Sequence, residues 1–353
     1  MSSVYIENVP NGSQVGIDLL SWTTGPNFRG IREIPRGLHC LHITINGIMV
    51  TKFATWFQAG PSLVLAYKWD RTTEALVSLD TGYITSGHGI NPMFLLDGSG
   101  ERDSNWERNS GHLSLEVVQS IVPLGAVVVS TTSSNTDASH SDLKNLESTA
   151  DYADEIEFRF LPIDLKRSWK PGSLGRDITR MSLDKSWLLE DSISRAGGEA
   201  SFLGQFEFCF LSVLLFTSIT AFEQWNIMLR LVCSCRATIP KMQAFYTAFL
   251  NLLQAQIEQV PEELYADIFE LTLPRSLYAL KSNLADISED DPDAISSKVR
   301  DNLDSLIAHH VRNAELEDDH AQLQAVYPSD EAGYEARKDE SEDDDEAPVV
   351  VEL

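Results

Sequence analysis

Cysteine, basic charge and long apolar runs are all scarce in this sequence of 353 residues. Only four cysteines occur and no CxxC pair is present, which excludes a disulfide framework and the common zinc motifs. The first ten residues lack the basic flank and apolar centre of a signal peptide. These absences favour a reduced, intracellular, soluble protein that needs no metal or other cofactor.

The shortage of basic residues is large and unevenly distributed. The chain has 27 Lys and Arg against 53 Asp and Glu, giving a formal net charge of −26. Residues 315–346 alone hold fourteen acidic and two basic residues, a net charge of −12. Such a chain is repelled by phosphate backbones, so we expect no direct nucleic-acid binding through a basic patch. The acidic stretch is too polar to fold alone and predicts a disordered tail.

An uncharged and mostly apolar stretch covers the fifteen residues between Glu207 and Glu223. A membrane-spanning helix needs about twenty apolar residues, so this stretch predicts no membrane span. It is interpreted instead as two buried helices that meet near residues 217–220, at the centre of a helical bundle. In the second helix, one apolar face is predicted from residues recurring every three to four positions: Phe222, Trp225, Met228, Leu229 and Val232.

Short runs rich in β-branched and aromatic residues indicate that the N-terminal part is β-rich. These runs, separated by turn dipeptides, are residues 38–45, 49–57 and 63–69. Asn46-Gly47 predicts a hairpin with a two-residue turn between the first two runs. Residues 113–124 and 126–129 are expected to close this domain or to lie against it.

The second half of the chain is predicted to be mainly helical. In residues 156–162 apolar and charged side chains alternate, which predicts a strand. The remaining helices are predicted at residues 177–195, 241–259, 262–271, 275–285 and 293–313. The prediction is an α+β fold with a β-rich, sandwich-like or barrel-like domain followed by a helical bundle. Its parts are a β-rich domain at 1–130, a polar linker at 131–154, a helical domain at 155–313 and an acidic tail at 314–353.

Few residues suggest catalysis. Asp80-Thr81-Gly82 matches the catalytic turn of aspartic proteases, but their mechanism needs two such carboxylates and no second copy occurs. A β-turn explains the same three residues. His39 and His42 lie three apart on a predicted strand and so point to opposite faces, which is unsuitable for sharing a metal. We therefore predict that the protein is not an enzyme.

The last six residues form what we call the terminal segment: Pro348, Val349, Val350, Val351, Glu352 and Leu353. Three consecutive valines favour a strand, although the acidic residues before them cannot fold alone. A strand on a solvated tether suits addition to the edge of a partner's sheet. The sequence pattern equally allows this strand to complete the chain's own β-domain.

Three blocks of sequence resemble the Aar-two splicing-factor family (a1-alpha2 repressin). The first block runs from residue 16 to residue 42, the second from 204 to 233, and the third is residues 347–353. The positions that carry the first two blocks are Gly16, Asp18, Trp22, Gly25, Phe28, Gly30, Pro35, Gly204, Phe206, Phe222 and Trp225. Of these, Trp22 and Phe28 are expected in the core, and Gly25 and Gly30 in turns.

The resemblance implies a monomeric, cytoplasmic assembly chaperone of the U5 small nuclear ribonucleoprotein, with nuclear shuttling. Family members bind the RNase H-like and Jab/MPN-like domains of the large spliceosomal core protein Prp-eight. They prevent premature association of a helicase, and their terminal strand joins partner sheets. The resemblance therefore favours an intermolecular role for the terminal segment. Trp225 and its neighbours are expected to hold the folded surface that contacts the partner, which we call the platform.

Release from the partner is thought to involve phosphorylation in this family. We place the switch at Ser234, where about two added negative charges would oppose the dipole at a helix C-terminus. A buried or capping serine is the simpler interpretation of the same residue. Two other functions stay open: an aspartic-protease-like hydrolase that uses Asp80, and a general acidic adaptor with no role in splicing.

Overall fold

The computed structural model describes residues 2–46, 51–80, 95–98, 104–136, 156–269, 272–291 and 295–310. All of them belong to one compact unit of the chain. The acidic run at 315–346 and the terminal segment lie outside the described residues. So do residues 137–155, which make up most of the predicted linker, and therefore the predicted domain boundaries stay predictions.

The described residues of the N-terminal region form ten short strands in two five-stranded sheets. They are β1 (Ser2–Glu7), β2 (Gln14–Ile17), β3 (Leu20–Thr23), β4 (Gly30–Ile34), β5 (Gly37–Thr44), β6 (Lys52–Ala59), β7 (Val64–Asp70), β8 (Ala75–Ser78), β9 (Leu95–Asp97) and β10 (Val127–Val129). One sheet has the order β8-β7-β1-β4-β9 and includes the parallel pairs β1–β7 and β4–β9. The other sheet has the order β10-β6-β5-β2-β3 and is antiparallel throughout.

A shared hydrophobic core lies between the two sheets. Strand β1 alternates buried and half-buried residues along its whole length, as a strand covered on one face does. Its inward residues Val4 and Ile6 are fully buried together with residues of the second sheet such as Leu41 and Phe57. The predicted β-rich, sandwich-like N-terminal region is thus confirmed.

The predicted hairpin forms between β5 and β6, but its predicted two-residue turn is wrong. The pairing of Thr44 with Lys52 leaves residues 45–51 to connect the strands. Asn46 is held by the neighbouring loop instead: its backbone N–H donates to the Ser13 hydroxyl at 2.9 Å, and its side chain donates to the Asn11 carbonyl at 2.9 Å.

Ten helices are described in all. They are α1 (Ser104–Asn109), α2 (Leu115–Ile121), α3 (Arg176–Leu183), α4 (Ser186–Ala196), α5 (Glu199–Phe216), α6 (Ile219–Cys233), α7 (Gln243–Gln259), α8 (Glu262–Phe269), α9 (Leu273–Asp290) and α10 (Ser297–His310), within the ranges given above. The helical second half is therefore confirmed. The two short helices α1 and α2, inside the region predicted to be β-rich, were not anticipated.

The two buried helices predicted around residues 217–220 are α5 and α6. Thr217 ends α5 in a left-handed conformation with φ 56°. Ser218 begins α6, and its hydroxyl accepts a hydrogen bond from the Ala221 N–H at 3.3 Å. Among the described residues α5 is long and apolar enough to cross a membrane, yet 78% of its apolar window is buried inside the protein. It therefore packs as the central helix of the fold.

Several predicted boundaries in the helical half are wrong. Residues 177–195 form two helices because Asp184 ends the first one in an extended conformation, where its carboxylate accepts the Ser186 N–H at 3.0 Å. Within the described chain, residues 156–162 make only an isolated bridge, between Phe158 and Ser134. Pro274 does not divide two helices but lies in the first turn of α9, where its missing N–H costs nothing. The last helix begins at Ser297.

Strand β6 joins the two halves because both of its faces are buried. Phe53 and Phe57 point into the core between the sheets. Trp56, on the other face, lies 5.1 Å from the ring of Phe208 on α5 and 6.4 Å from that of Trp106 on α1. Burial on both faces explains why this strand is an almost continuous apolar run in the sequence.

Candidate functional site

Ser234, the predicted phosphorylation site, lies at the C-terminal end of α6. It is half-buried, and its hydroxyl donates to the Arg230 carbonyl at 2.6 Å. Its own carbonyl accepts the Lys185 N–H at 3.3 Å, which connects α6 to the start of α4. A phosphoryl group would remove the hydroxyl donor and place acceptor oxygens beside the Arg230 carbonyl.

An acidic side chain already occupies this end of α6. The Asp184 carboxylate accepts the backbone N–H groups of Arg236 at 2.9 Å and Ala237 at 3.0 Å, and also bonds to Ser186. Burial alone would raise the pKa of Asp184, but the bonds from Ser186, Arg236 and Ala237 together lower it. Asp184 therefore carries a negative charge that holds the connection after α6 in place.

Trp225, predicted to hold the binding platform, is 1% exposed and lies in the interior. Its ring stacks on Phe206 of α5 at 5.4 Å, and its indole N–H donates to the Gln256 side chain of α7 at 3.0 Å. It thus ties three helices together. Phe222, one turn earlier, is only half-buried.

The acidic residue of the first block, Asp18, organises the turn between β2 and β3. Its carboxylate accepts the Cys40 N–H at 2.9 Å and lies 2.7 Å from Nδ1 of His39. Its carbonyl lies 3.0 Å from Nε2 of His42. Burial lowers the pKa of His42 to about 4, so this ring is neutral at physiological pH. No cluster of three metal-ligating side chains occurs within the described ranges.

The other positions of the first block also serve the fold. Phe28 is buried and Trp22 packs against the same core, as predicted. Gly25 is an exposed turn residue. Gly30 is not in a turn: it is the first residue of β4, at φ 143°, and an added Cβ would lie 2.0 Å from the Val4 carbonyl oxygen.

Two further positions of that block lie beside the same histidines. A Cβ on Gly16 would lie 2.2 Å from the ring of His42, so the strand must pass this ring without a side chain. The carbonyl of Pro35 lies 3.1 Å from Nε2 of His39. Both positions therefore fix the packing around the Asp18 turn.

Sequence reasoning missed the buried pair formed by Glu207 and His112. In the sequence Glu207 only marks one end of an uncharged stretch, but its side chain on α5 has no exposed surface. Its carboxylate accepts the backbone N–H of His112 at 2.8 Å and lies 2.7 Å from Nδ1 of that ring. Burial raises the pKa of Glu207, and the bond to Glu207 raises that of His112. A charge inside an apolar helix is itself the signal, because such a charge needs a partner.

Close packing explains the glycine in the same helix. A Cβ on Gly204 would lie 2.5 Å from the His112 carbonyl oxygen. The connection between α1 and α2 can therefore approach α5 only where a side chain is absent. Gly204 and Glu207, one turn apart, fix the same loop through contact and hydrogen bonding.

Two other predicted sites are only partly described. Asp80 is exposed just after β8, whereas Thr81 and Gly82 lie outside the described residues. The terminal segment also lies outside them, so its predicted contacts are untested.

The fold and these sites define a class of α+β protein in which a β-sandwich is packed on a helical array built around α5. Residues 2–123 match the AAR2 N-terminal domain, and residues 160–316 match the AAR2 C-terminal repeat region. The chain belongs to the AAR2 family, in agreement with the resemblance seen in its sequence.

Curated relatives cover most of the chain at low identity. A rabbit Protein AAR2 homolog is 27% identical over 277 residues, which are 76% of this chain and 75% of the relative. The human Protein AAR2 homolog is 24% identical over 306 residues, and the match covers 76% of this chain and 78% of the relative. The A1 cistron-splicing factor AAR2 of Saccharomyces cerevisiae is 23% identical over 290 residues, and the match covers 76% of this chain and 79% of the relative.

Proposed function

We propose that this chain acts in pre-mRNA splicing, as a non-enzymatic chaperone for assembly of the U5 small nuclear ribonucleoprotein. The supporting observation is that both parts of the chain match AAR2 family domains in the right order. The yeast relative is named as a splicing factor. The partner is the RNase H-like and Jab/MPN-like regions of Prp-eight, and binding there blocks premature association of a helicase.

In this proposal the terminal segment supplies the partner-binding strand. Val349, Val350 and Val351 favour an extended backbone, and the preceding acidic residues give a solvated tether. Main-chain hydrogen bonds to an edge strand provide affinity, and alternate side chains provide specificity. The chaperone works as a monomer in the cytoplasm, shuttles to the nucleus and uses no cofactor.

Ser234 is the proposed release switch. Phosphorylation there breaks the bond to the Arg230 carbonyl and adds charge near Asp184 at the α6 C-terminus. The connection from α6 to α7 then loosens, and the platform that contacts the partner changes shape. The unmodified serine is compatible with binding because its hydroxyl adds a second hydrogen bond to the Arg230 carbonyl, which already accepts the Ser234 N–H at 3.1 Å.

Size-exclusion co-elution with the RNase H-like region of Prp-eight tests the function. The full chain is compared with a version that ends at Glu346 and with Val350→Pro, since proline removes one N–H and resists central strand pairing. Val350→Thr is the matched control, because threonine keeps a β-branched side chain. Weaker co-elution for the shortened chain and for Val350→Pro, but not for Val350→Thr, supports strand addition.

Other outcomes separate the alternatives. Co-elution that is unaffected by truncation keeps the chaperone but moves its contact to the folded residues. If neither the full chain nor the shortened chain co-elutes, the chaperone proposal is overturned and a general acidic adaptor becomes the better description.

A further inference from the structure

One exposed segment has the opposite charge to the rest of the chain. Residues 164–183, which we call the basic segment, contain five basic and two acidic residues in a protein of net charge −26. All five cations are exposed: Lys166, Arg167, Lys170, Arg176 and Arg180. The two acids are already engaged, because Asp164 accepts the Lys166 and Arg167 N–H groups and Asp177 pairs with Arg180 at 3.2 Å.

The same segment exposes two large apolar side chains. Leu174 and Leu183 are each 80% exposed, more than any other large apolar side chain among the described residues. Single exposed leucines are common on protein surfaces. Here two leucines of this exposure lie nine positions apart in one folded segment, beside five cations. Together these side chains form a surface that is both basic and apolar.

The basic segment has a defined conformation. The Ser168 hydroxyl, itself buried, donates to the Met181 carbonyl at 2.7 Å, and the Lys170 N–H contacts the Met181 sulfur at 3.4 Å. Helix α3 is thereby held against its own preceding loop. Asp184, directly after α3, anchors the segment to the connection between α6 and α7 through Arg236.

Helix α3 has an outward face without a partner in the described chain. None of its eight residues is buried. Arg176, Arg180 and Leu183 recur at the i, i+4 and i+7 positions and so share one face of this helix. Short helices gain most of their stability from packing an apolar face, and this one offers Leu183 to solvent.

We propose that the basic segment is a docking surface for an acidic peptide segment of a partner protein that also carries large apolar side chains. The cations attract and orient the acidic residues, and Leu174 and Leu183 bury the apolar ones. An RNA is less suited because single-strand binding uses exposed aromatic rings, and Trp169, the one aromatic residue here, is half-buried. A membrane is less suited because α3 is only two turns long.

The test measures fluorescence anisotropy of a short labelled peptide in which Glu alternates with Leu, titrated with the full chain. A peptide in which Ser replaces Leu, a single-stranded oligouridine and phosphatidylserine vesicles serve as competing probes. We expect the Glu-Leu peptide to bind best. Its binding should weaken as ionic strength rises from about 0.1 M to about 1 M, where the Debye length falls from about 10 Å to about 3 Å.

Two double variants locate the contact. Arg176→Gln with Arg180→Gln, and Leu174→Ser with Leu183→Ser, should each weaken binding by about tenfold. All four side chains are exposed, so the unfolding midpoint of the protein should stay unchanged. The control is Lys68→Gln with Lys298→Gln, which removes two exposed cations on β7 and α10 and should leave affinity unchanged.

Three results overturn the proposal. In the first, the control weakens peptide binding as much as the arginine variant, which indicates a general charge effect. In the second, the oligouridine or the vesicles bind more tightly than the peptide and lose that binding in the arginine variant, which indicates another class of partner. In the third, the peptide does not bind, or sedimentation shows that a second copy of the chain occupies the surface.

Discussion

Replacing Glu207 with glutamine should destabilise the protein more at low pH than at high pH. The carboxylate of Glu207 holds both the backbone N–H and the ring of His112, at 2.8 and 2.7 Å. In Glu207→Gln the amide oxygen can still accept the backbone N–H. The amide NH₂ can donate to Nδ1 of His112 only when that ring is neutral, because a protonated ring is itself a donor at both nitrogens.

The direction of this pH dependence follows from the pKa shifts of Glu207 and His112. Both pKa values are raised in the folded protein, that of Glu207 by burial and that of His112 by its bond to Glu207. The folded state therefore binds more protons than the unfolded state, and the stabilisation is present at low pH and lost as pH rises through the raised pKa of His112. A charge-assisted hydrogen bond contributes about 2 kcal/mol, which is the largest pH-dependent difference expected. The difference is measured between about pH 6, below the ordinary pKa of histidine, and a higher pH at which the His112 ring has lost its proton.

Urea unfolding of the wild type and Glu207→Gln at both pH values measures this difference. His112→Asn is the control, because it removes the titrating ring, and Glu207→Gln added to it should have the same cost at both pH values. A cost of Glu207→Gln that is independent of pH in the wild-type background, or larger at the higher pH, would refute the assignment of His112 as the proton-binding partner.

Three further predictions concern single residues. Gly204→Ala should lower the free energy of unfolding by about 1–3 kcal/mol, because its Cβ would lie 2.5 Å from the His112 carbonyl oxygen. The control is Gly25→Ala, whose Cβ would have no atom within 4 Å and which should be close to neutral in the same urea assay. Asp184→Asn should lower the free energy of unfolding by about 1–3 kcal/mol near neutral pH. Because the pKa of Asp184 is lowered in the folded protein, this loss should shrink as pH falls through that pKa, which urea unfolding at acidic pH checks. Ser234→Glu should weaken co-elution with the RNase H-like region while Ser234→Ala keeps it; equal binding by both excludes the switch.

The main helices could be predicted because their signals are local. The break between α5 and α6 follows from Thr217 and Ser218, where a polar pair interrupts an apolar stretch and the serine caps the next helix. The β-rich region could be predicted for the same reason, since alternating and β-branched residues mark each strand. Both patterns are contained in short windows of sequence.

The contacts that decide turns and sites are not local. The Asn46 side chain bonds to Asn11, which lies 35 positions earlier, and the pairing of Thr44 with Lys52 excludes the expected two-residue turn. Glu207 bonds to His112 across 95 positions. A window of sequence shows that a buried charge needs a partner, but it does not show which residue the fold brings to it.

The double burial of β6 connects the sequence pattern to how the protein can work. Composition separates a β-rich part from a helical part, yet Trp56 on β6 packs directly on Phe208 of α5, and Phe208 also meets the rings of Phe158 and Phe160. Aromatic contacts of this kind bury large apolar areas on both sides. A change at the end of α6, such as the one proposed for Ser234, therefore acts on helices that share their aromatic core with the sandwich.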